Sequence, residues 1–288
     1  MHRLILPAVL FLSACNGTTD TDEPVASSGG LPTGTSAWTG SGEVNGLTFL
    51  VDATLDNVGG DLTGTVTVRD SPEAPVGVGE GTYAVSGTHE PVSGLVALAP
   101  DDWIEMTDFQ IEVLGLLGTY DAETGEIDGT LGDYATADDN VLRGGPITLV
   151  LESGDGEPLQ AGDEALSLPV DEAVTFVGSH RCSSSQREAT ATLTYDGEGF
   201  VSGTLSYGDL TLVDGTNTFE VTGVHNPSTG GVTLMPGLYT ETGGNSYLTF
   251  YLDGTFDPAA GSLDGQGRTT LGACPTRDGF VTQIETEG

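Results

Sequence analysis

Residues 82–100, TYAVSGTHEPVSGLVALAP, return without a gap as residues 218–236, TFEVTGVHNPSTGGVTLMP. The same spacing of 136 carries GTYDAETGEIDG (118–129) onto GTFDPAAGSLDG (254–265). Upstream, ATL at 53–55 maps onto ATL at 191–193, and Trp38 onto Phe176, at a spacing of 138. A period this long is the size of a domain and too long for a solenoid repeat. Whatever one copy folds into, the other must also adopt. The copies are expected over residues 37–153 and 171–288, with the acidic, proline-containing stretch 154–170 as a linker.

Inside each copy the hydrophobic period is two. Leu47, Phe49, Val51, Ala53 and Leu55 share one face, against Thr48, Asp52 and Thr54 on the other, with Leu50 the exception. Leu62, Gly64, Val66 and Val68 alternate with threonines, and Tyr83, Val85, Gly87 and His89 with Thr82, Ala84, Ser86 and Thr88. This is the signature of half-buried strands. Turn residues at 57–60, 91–94 and 121–125 separate the runs. Eight strands are predicted in each copy, near 37–44, 46–56, 61–69, 81–89, 94–99, 108–120, 126–132 and 146–152, and at matching places in the second. Tight turns between consecutive strands make an antiparallel meander. Closure into a barrel removes its two exposed edges. The predicted class is therefore all-β, a tandem duplication of two eight-stranded meander domains. A two-sheet sandwich fits nearly the same pattern.

Trp38-Thr39-Gly40 and Leu62-Thr63-Gly64-Thr65 resemble the opening strands of streptavidin- and lipocalin-like meander barrels. The resemblance implies the barrel. It does not bring biotin binding with it, since that site needs several cavity tryptophans and this chain has only Trp38 and Trp103.

The leader places the chain. MHRLILPAVLFLSAC opens with His2 and Arg3, continues with an apolar run at 4–12, and ends in Leu12-Ser13-Ala14-Cys15. A cationic start and an apolar run too short to span read as an export signal. The four terminal residues resemble the lipobox of bacterial lipoproteins. That resemblance implies cleavage after residue 14 and lipidation of Cys15, whose acyl chains would anchor the chain at about 0.8 kcal/mol per buried methylene. An ordinary secreted leader that happens to hold a cysteine is the alternative. Asn16 behind the cysteine is consistent with sorting to the outer membrane of a Gram-negative bacterium, with a periplasmic or a surface face open. Polar, Pro/Gly-rich residues up to 36 read as a flexible tether.

Charge narrows the partners. The 43 acids outnumber the Lys and Arg residues, seven in all, giving a net charge of −36. Such a surface repels phosphate backbones, which excludes nucleic acid as a partner. An anionic bilayer surface repels it too, leaving Cys15 as the membrane contact. With Cys15 assigned to lipid, Cys182 and Cys274 remain as a pair in an oxidising compartment. They fall at the end of the first and before the last predicted strand of the second copy. In a closed meander those strands are antiparallel neighbours, so a disulfide there would staple the barrel seam.

Catalytic signatures are absent from the sequence: no HExxH, GxSxG, P-loop or dinucleotide glycine motif occurs. His89 and His225 precede Glu-Pro and Asn-Pro and sit on the apolar parity of their strands. They read as turn-bonded structural imidazoles or as rim ligands at a barrel mouth. Ser183, Ser184 and Ser185 beside His180 read as a polar hairpin loop, with no triad acid or oxyanion hole visible. Calcium needs six to eight converging oxygens. Asp121, Glu123, Glu126 and Asp128, then Asp138, Asp139 and Asn140, and Asp20, Asp22 and Glu23 in the tether, are the candidates, set against solvated turns. In the second copy Glu123 and Glu126 become Ala259 and Ser262, which weakens the first group. Trp103, in a predicted interstrand loop, would either anchor a glycan or peptide or pack over a barrel end.

The expected protein is a lipid-anchored, non-catalytic binding or structural module of the cell envelope. Its partners would be an envelope protein, a glycan or a small apolar ligand, and its oligomeric state is open. A lipocalin-like carrier with a cavity lined by Phe49, Val51, Val66, Tyr83 and Val85 is the alternative, and an envelope hydrolase the third reading.

Overall fold

A computed structural model describes residues 29–44, 46–72, 80–107, 113–132, 140, 144–182, 185–208, 216–243, 249–268 and 280–284, with backbone alone at 102, 106–107, 180–182, 185–187 and 280–284. The first eight strands are β1 (Gly34–Val44), β2 (Leu47–Val58), β3 (Asp61–Asp70), β4 (Glu80–His89), β5 (Leu95–Thr107), β6 (Gly115–Asp121), β7 (Glu126–Gly132) and β8 (Gly144–Gly154). The second eight are β9 (Ala173–Cys182), β10 (Ser185–Tyr195), β11 (Phe200–Gly208), β12 (Thr216–Asn226), β13 (Gly231–Glu241), β14 (Tyr251–Asp257), β15 (Ser262–Arg268) and β16 (Phe280–Ile284). Every pairing between consecutive strands is antiparallel. The first set closes through β1 on β8 and the second through β9 on β16, so both are barrels and the sandwich alternative is set aside.

Alternation fills the barrels as the period of two requires. Phe49, Val51, Ala53 and Leu55 point inward, and Leu50 faces out. The equivalent aromatics pack alike. Trp38 meets Tyr120 edge to face at 5.8 Å, and in the second barrel Phe176 meets Phe256 at 6.0 Å. Among Val51, Val66, Tyr83, Val85, Leu98, Leu114 and their neighbours the remaining void is about 10 Å³. A small-molecule site needs some 300 Å³ or more. The interior of the first barrel is a packed core, so the residues expected to line a carrier's cavity hold the barrel together instead.

Several boundaries differ from expectation, among them the start of β6, at Gly115 where the sequence pattern predicts a strand from near 108. Strand β5 runs on past Pro100 to Thr107, so Trp103 lies in a strand and not in a loop. Pairing with β4 shifts register twice around Tyr83, and β13 shifts likewise around Phe219. These irregularities accommodate Pro100 and Pro236, which donate no ladder hydrogen bond. The tether also ends earlier than residue 36, because Leu31 is 2% exposed and Pro32 bridges Pro158. Finally, the segment between β8 and β9 is laid along the barrel ends. Leu159 N–H donates to Leu31 O at 3.0 Å, and Val170 bridges Tyr195.

The two barrels pack through β4 and β5 on one side and β12 and β13 on the other, which are equivalent strands of the duplication. The contact has an approximate two-fold axis. Asn226 lies over Gly60, and its Nδ2 donates a hydrogen bond to the adjoining His89 O at 2.8 Å. Reciprocally, Glu90, the counterpart of Asn226, lies over Gly199. Gly60 and Gly199 share φ values of +103° and +102°, left-handed conformations that glycine tolerates. A Cβ on Gly60 would sit 2.0 Å from Asn226 Nδ2 and 2.8 Å from His89 O. Thr88 and Thr233 hydroxyls bond across the seam at 2.8 Å, fully buried although Thr88 lies on the outward parity of its strand.

Candidate functional site

His89 and His225 do the same job in the two barrels. In each, Nε2 accepts a hydrogen bond from a backbone N–H that leads into the first strand, Leu31 at 2.9 Å and Leu168 at 3.1 Å. Each Nδ1 faces a backbone carbonyl at 3.0 Å, Leu95 O and Gly231 O. An N–H can only donate and a carbonyl can only accept, so each ring is neutral with its proton on Nδ1. Burial pushes both imidazoles down to about 4, partly offset by the carbonyl bonds. Both rings are 0% exposed and both nitrogens are occupied by backbone. The geometry supports the structural reading of the pair: each histidine pins the incoming chain across a barrel end, and neither ring has a nitrogen free for a metal or a proton transfer.

The acidic candidates in described positions are turn and strand groups. Asp121 Oδ1 accepts from Glu123 N–H at 2.8 Å, and its counterpart Asp257 accepts from Ala259 N–H at 2.8 Å. Asp128 Oδ1 accepts from Thr148 Oγ1 at 2.7 Å. Such self-bonded turns explain why aspartate recurs there. Among the described residues no three His, Cys, Asp or Glu side chains converge as metal ligands. Asn140 forms a two-way bond with the Tyr239 backbone, Oδ1 to N at 2.6 Å and Nδ2 to O at 3.0 Å. Asp138 and Asp139 lie outside the described residues, as do Asp20, Asp22, Glu23, Cys15, Cys274, Ser183 and Ser184 and the side chains of Cys182, Ser185 and His180.

Trp103 packs edge to face on Tyr83 at 5.4 Å, with Gly81 beneath its six-membered ring. Tyr239 and Phe219 repeat the pair at 5.9 Å in the second barrel. Trp103 is thus half-buried packing over the barrel wall, which supports the second of its two readings.

A crevice beside the seam has no counterpart among the sequence-based expectations. It encloses about 500 Å³ between β6, β7 and β8 of the first barrel and β12 and β13 of the second. Leu117, Leu131, Met235 and Pro236 form apolar walls, Thr130 and Thr222 supply hydroxyls, and Gly132, Gly144 and Gly145 expose backbone. Behind the lining residue Gly132, Tyr251, 0% exposed, enters the space over Gly115 and bonds Gly115 N at 3.2 Å and Gly132 O.

The approximate two-fold axis generates a second, equivalent place, where the residues differ. Asp253 stands for Leu117, Arg268 for Gly132, Ala99 for Met235 and Ser86 for Thr222. There Arg268, whose side chain is 15% exposed, reaches Asp101 at 3.0 Å and Asp253 at 3.7 Å. Asp253 also accepts hydrogen bonds from Ser86 and Thr233. Nearby Asp61 is pushed upward by its burial, with the Asp253 charge adding to the shift. One flank of the seam thus carries an ionic cluster around Arg268, and the other carries the crevice with its mostly apolar described walls.

No protein-family model matches the chain, and no curated protein matches it.

Proposed function

We propose that the chain is a lipid-anchored, non-catalytic binding module of the cell envelope, held by Cys15 on the outer membrane of a Gram-negative bacterium. The single structural observation that supports the binding role is the open seam crevice. The packed interior of the first barrel directs recognition to that seam and to the surface loops. Envelope anchoring is supported by Leu12-Ser13-Ala14-Cys15 and by the polar tether behind it. A body of charge −36 is repelled by anionic headgroups, so a tether is what keeps it near the bilayer without lying on it.

Expression of the full chain in a Gram-negative host with an alkyne-labelled fatty acid tests the anchor. Wild type is expected to take up label, to begin at residue 15 by mass spectrometry, and to partition with detergent. Cys15→Ala is expected to lose all three properties. A mature, unacylated amino terminus on wild type overturns the anchor.

The seam disulfide has its own test. Strands β9 and β16 are antiparallel neighbours, with Ser179 opposite Val281, as a bridge from Cys182 to Cys274 would require. Under denaturing, non-reducing conditions both thiols of the exported protein are expected to resist alkylation. The paired change to serine is expected to lower stability by about 2–4 kcal/mol. Two freely alkylated thiols would refute the bridge.

A further inference from the structure

We propose that the seam crevice binds one small apolar molecule, uncharged or cationic, of about the size of a two- or three-ring aromatic. This deepens the binding-module reading and is independent of the lipid anchor.

Volume is the first argument. About 500 Å³ lies within the roughly 300–1,000 Å³ range of small-molecule sites. The wall chemistry is the second. Leu117, Leu131, Met235 and Pro236 offer apolar contact, and the unbranched Met235 thioether adapts to ligand shape. Gly132, Gly144 and Gly145 let a flat molecule approach backbone directly, with the Thr130 and Thr222 hydroxyls as polar partners.

Comparison across the axis is the third argument. The same backbone on the other flank carries Arg268 and Asp253, paired at 3.7 Å. Among the described residues, a Cβ at Gly132 would meet the tip of Met235, at 3.4 Å. A side chain is sterically admissible there, yet the position holds glycine and leaves the space open. Charge sets the ligand's sign. Among the described residues that line the crevice there is no Arg or Lys, and the protein carries −36 overall. The net charge repels an anionic amphiphile, leaves a neutral one unaffected and attracts a cation.

The chain from residue 16, produced without its leader and without Cys15, keeps every described contact. It is titrated with N-phenyl-1-naphthylamine, an uncharged fluorescent probe with three aromatic rings, and with its anionic relative 1-anilinonaphthalene-8-sulfonate. The double variant Leu117→Asp/Gly132→Arg copies the occupied flank. Wild type is expected to bind the neutral probe saturably at one site, and the sulfonate at least about tenfold more weakly, a gap that salt narrows. The double variant, with an unchanged urea midpoint, is expected to lose about tenfold or more in affinity for the neutral probe. Equal binding by the folded double variant overturns the site, and tighter binding of the sulfonate overturns the charge preference. Binding of neither probe by wild type overturns the ligand class, and leaves the anchored module to be decided by the acylation assay.

Discussion

Tyr251→Ala is expected to destabilise the protein by about 4 kcal/mol, since removing a fully buried aromatic ring costs about 3–5 kcal/mol. Tyr251 carries its side chain from the second barrel into the first. Its ring occupies the space over Gly115, where even a Cβ would lie 2.4 Å from the ring edge. Around it Ala99 and Met235 complete a small apolar cluster that belongs to neither barrel alone. The hydroxyl ties Gly115 N and Gly132 O of the first barrel to β14 of the second. Tyr251→Phe keeps the ring and forfeits only those bonds, a loss of about 1–2 kcal/mol. Urea unfolding of the three proteins measures both numbers. In Tyr251→Ala the single transition is expected to split in two as the barrels uncouple. If the alanine variant unfolds in one step with no greater loss than the phenylalanine variant, the ring is not what joins the barrels.

Acid is expected to weaken the fold through His89 and His225 together. Each ring is neutral and buried, with a folded pKa of about 4 against 6.5 for a free histidine. The unfolded chain therefore binds a proton at each site before the folded one does. Their contribution is complete above about pH 6.5, falls as the pH drops, and is gone near pH 4. The shift corresponds to about 3 kcal/mol per histidine at full strength. Asp61 works in the opposite sense, because its raised pKa means that the fold is relieved when that carboxyl takes its proton. Relief of repulsion in so acidic a chain opposes the histidines as well. Nitrogen NMR of the imidazoles separates these effects. Both rings are expected to show the Nδ1-protonated neutral form down to pH 5, and the unfolding free energy is expected to bend downward below pH 6.5. An imidazole titrating near 6.5 in the folded protein would refute the mechanism.

Alternating residues make the barrels legible in the amino-acid order itself. Phe49, Val51, Ala53 and Leu55 face inward as their spacing requires, and the duplication extends the same inward parity to the second half. The equivalence of Trp38 and Phe176 reaches down to their edge-on partners, Tyr120 and Phe256. Trp103 departs from expectation because the unbroken likeness between the copies stops at residue 100. Three residues further, at the same spacing, stands Tyr239, and the shared pairing with Tyr83 and Phe219 puts both in strands. The seam leaves a fainter trace. In LVALAP and VTLMP the alternation fails, because the outward side chains of β5 and β13 are covered by the opposing barrel. A run of this kind signals burial on both faces, but it names no partner. The crevice is illegible for the same reason, since its walls come from residues 117–145 and 222–236 and meet only after the barrels dock.

Joining the two barrels in one polypeptide frees their contact from self-complementarity. In an assembly of identical subunits every substitution is written twice, so a tyrosine at the position of Gly115 would collide with its own image. Here Tyr251 faces glycine, Met235 faces alanine, and Arg268 has glycine as its mirror. Each half has become the mould for the other's casting, and the flank spared by that division of labour is the one left hollow.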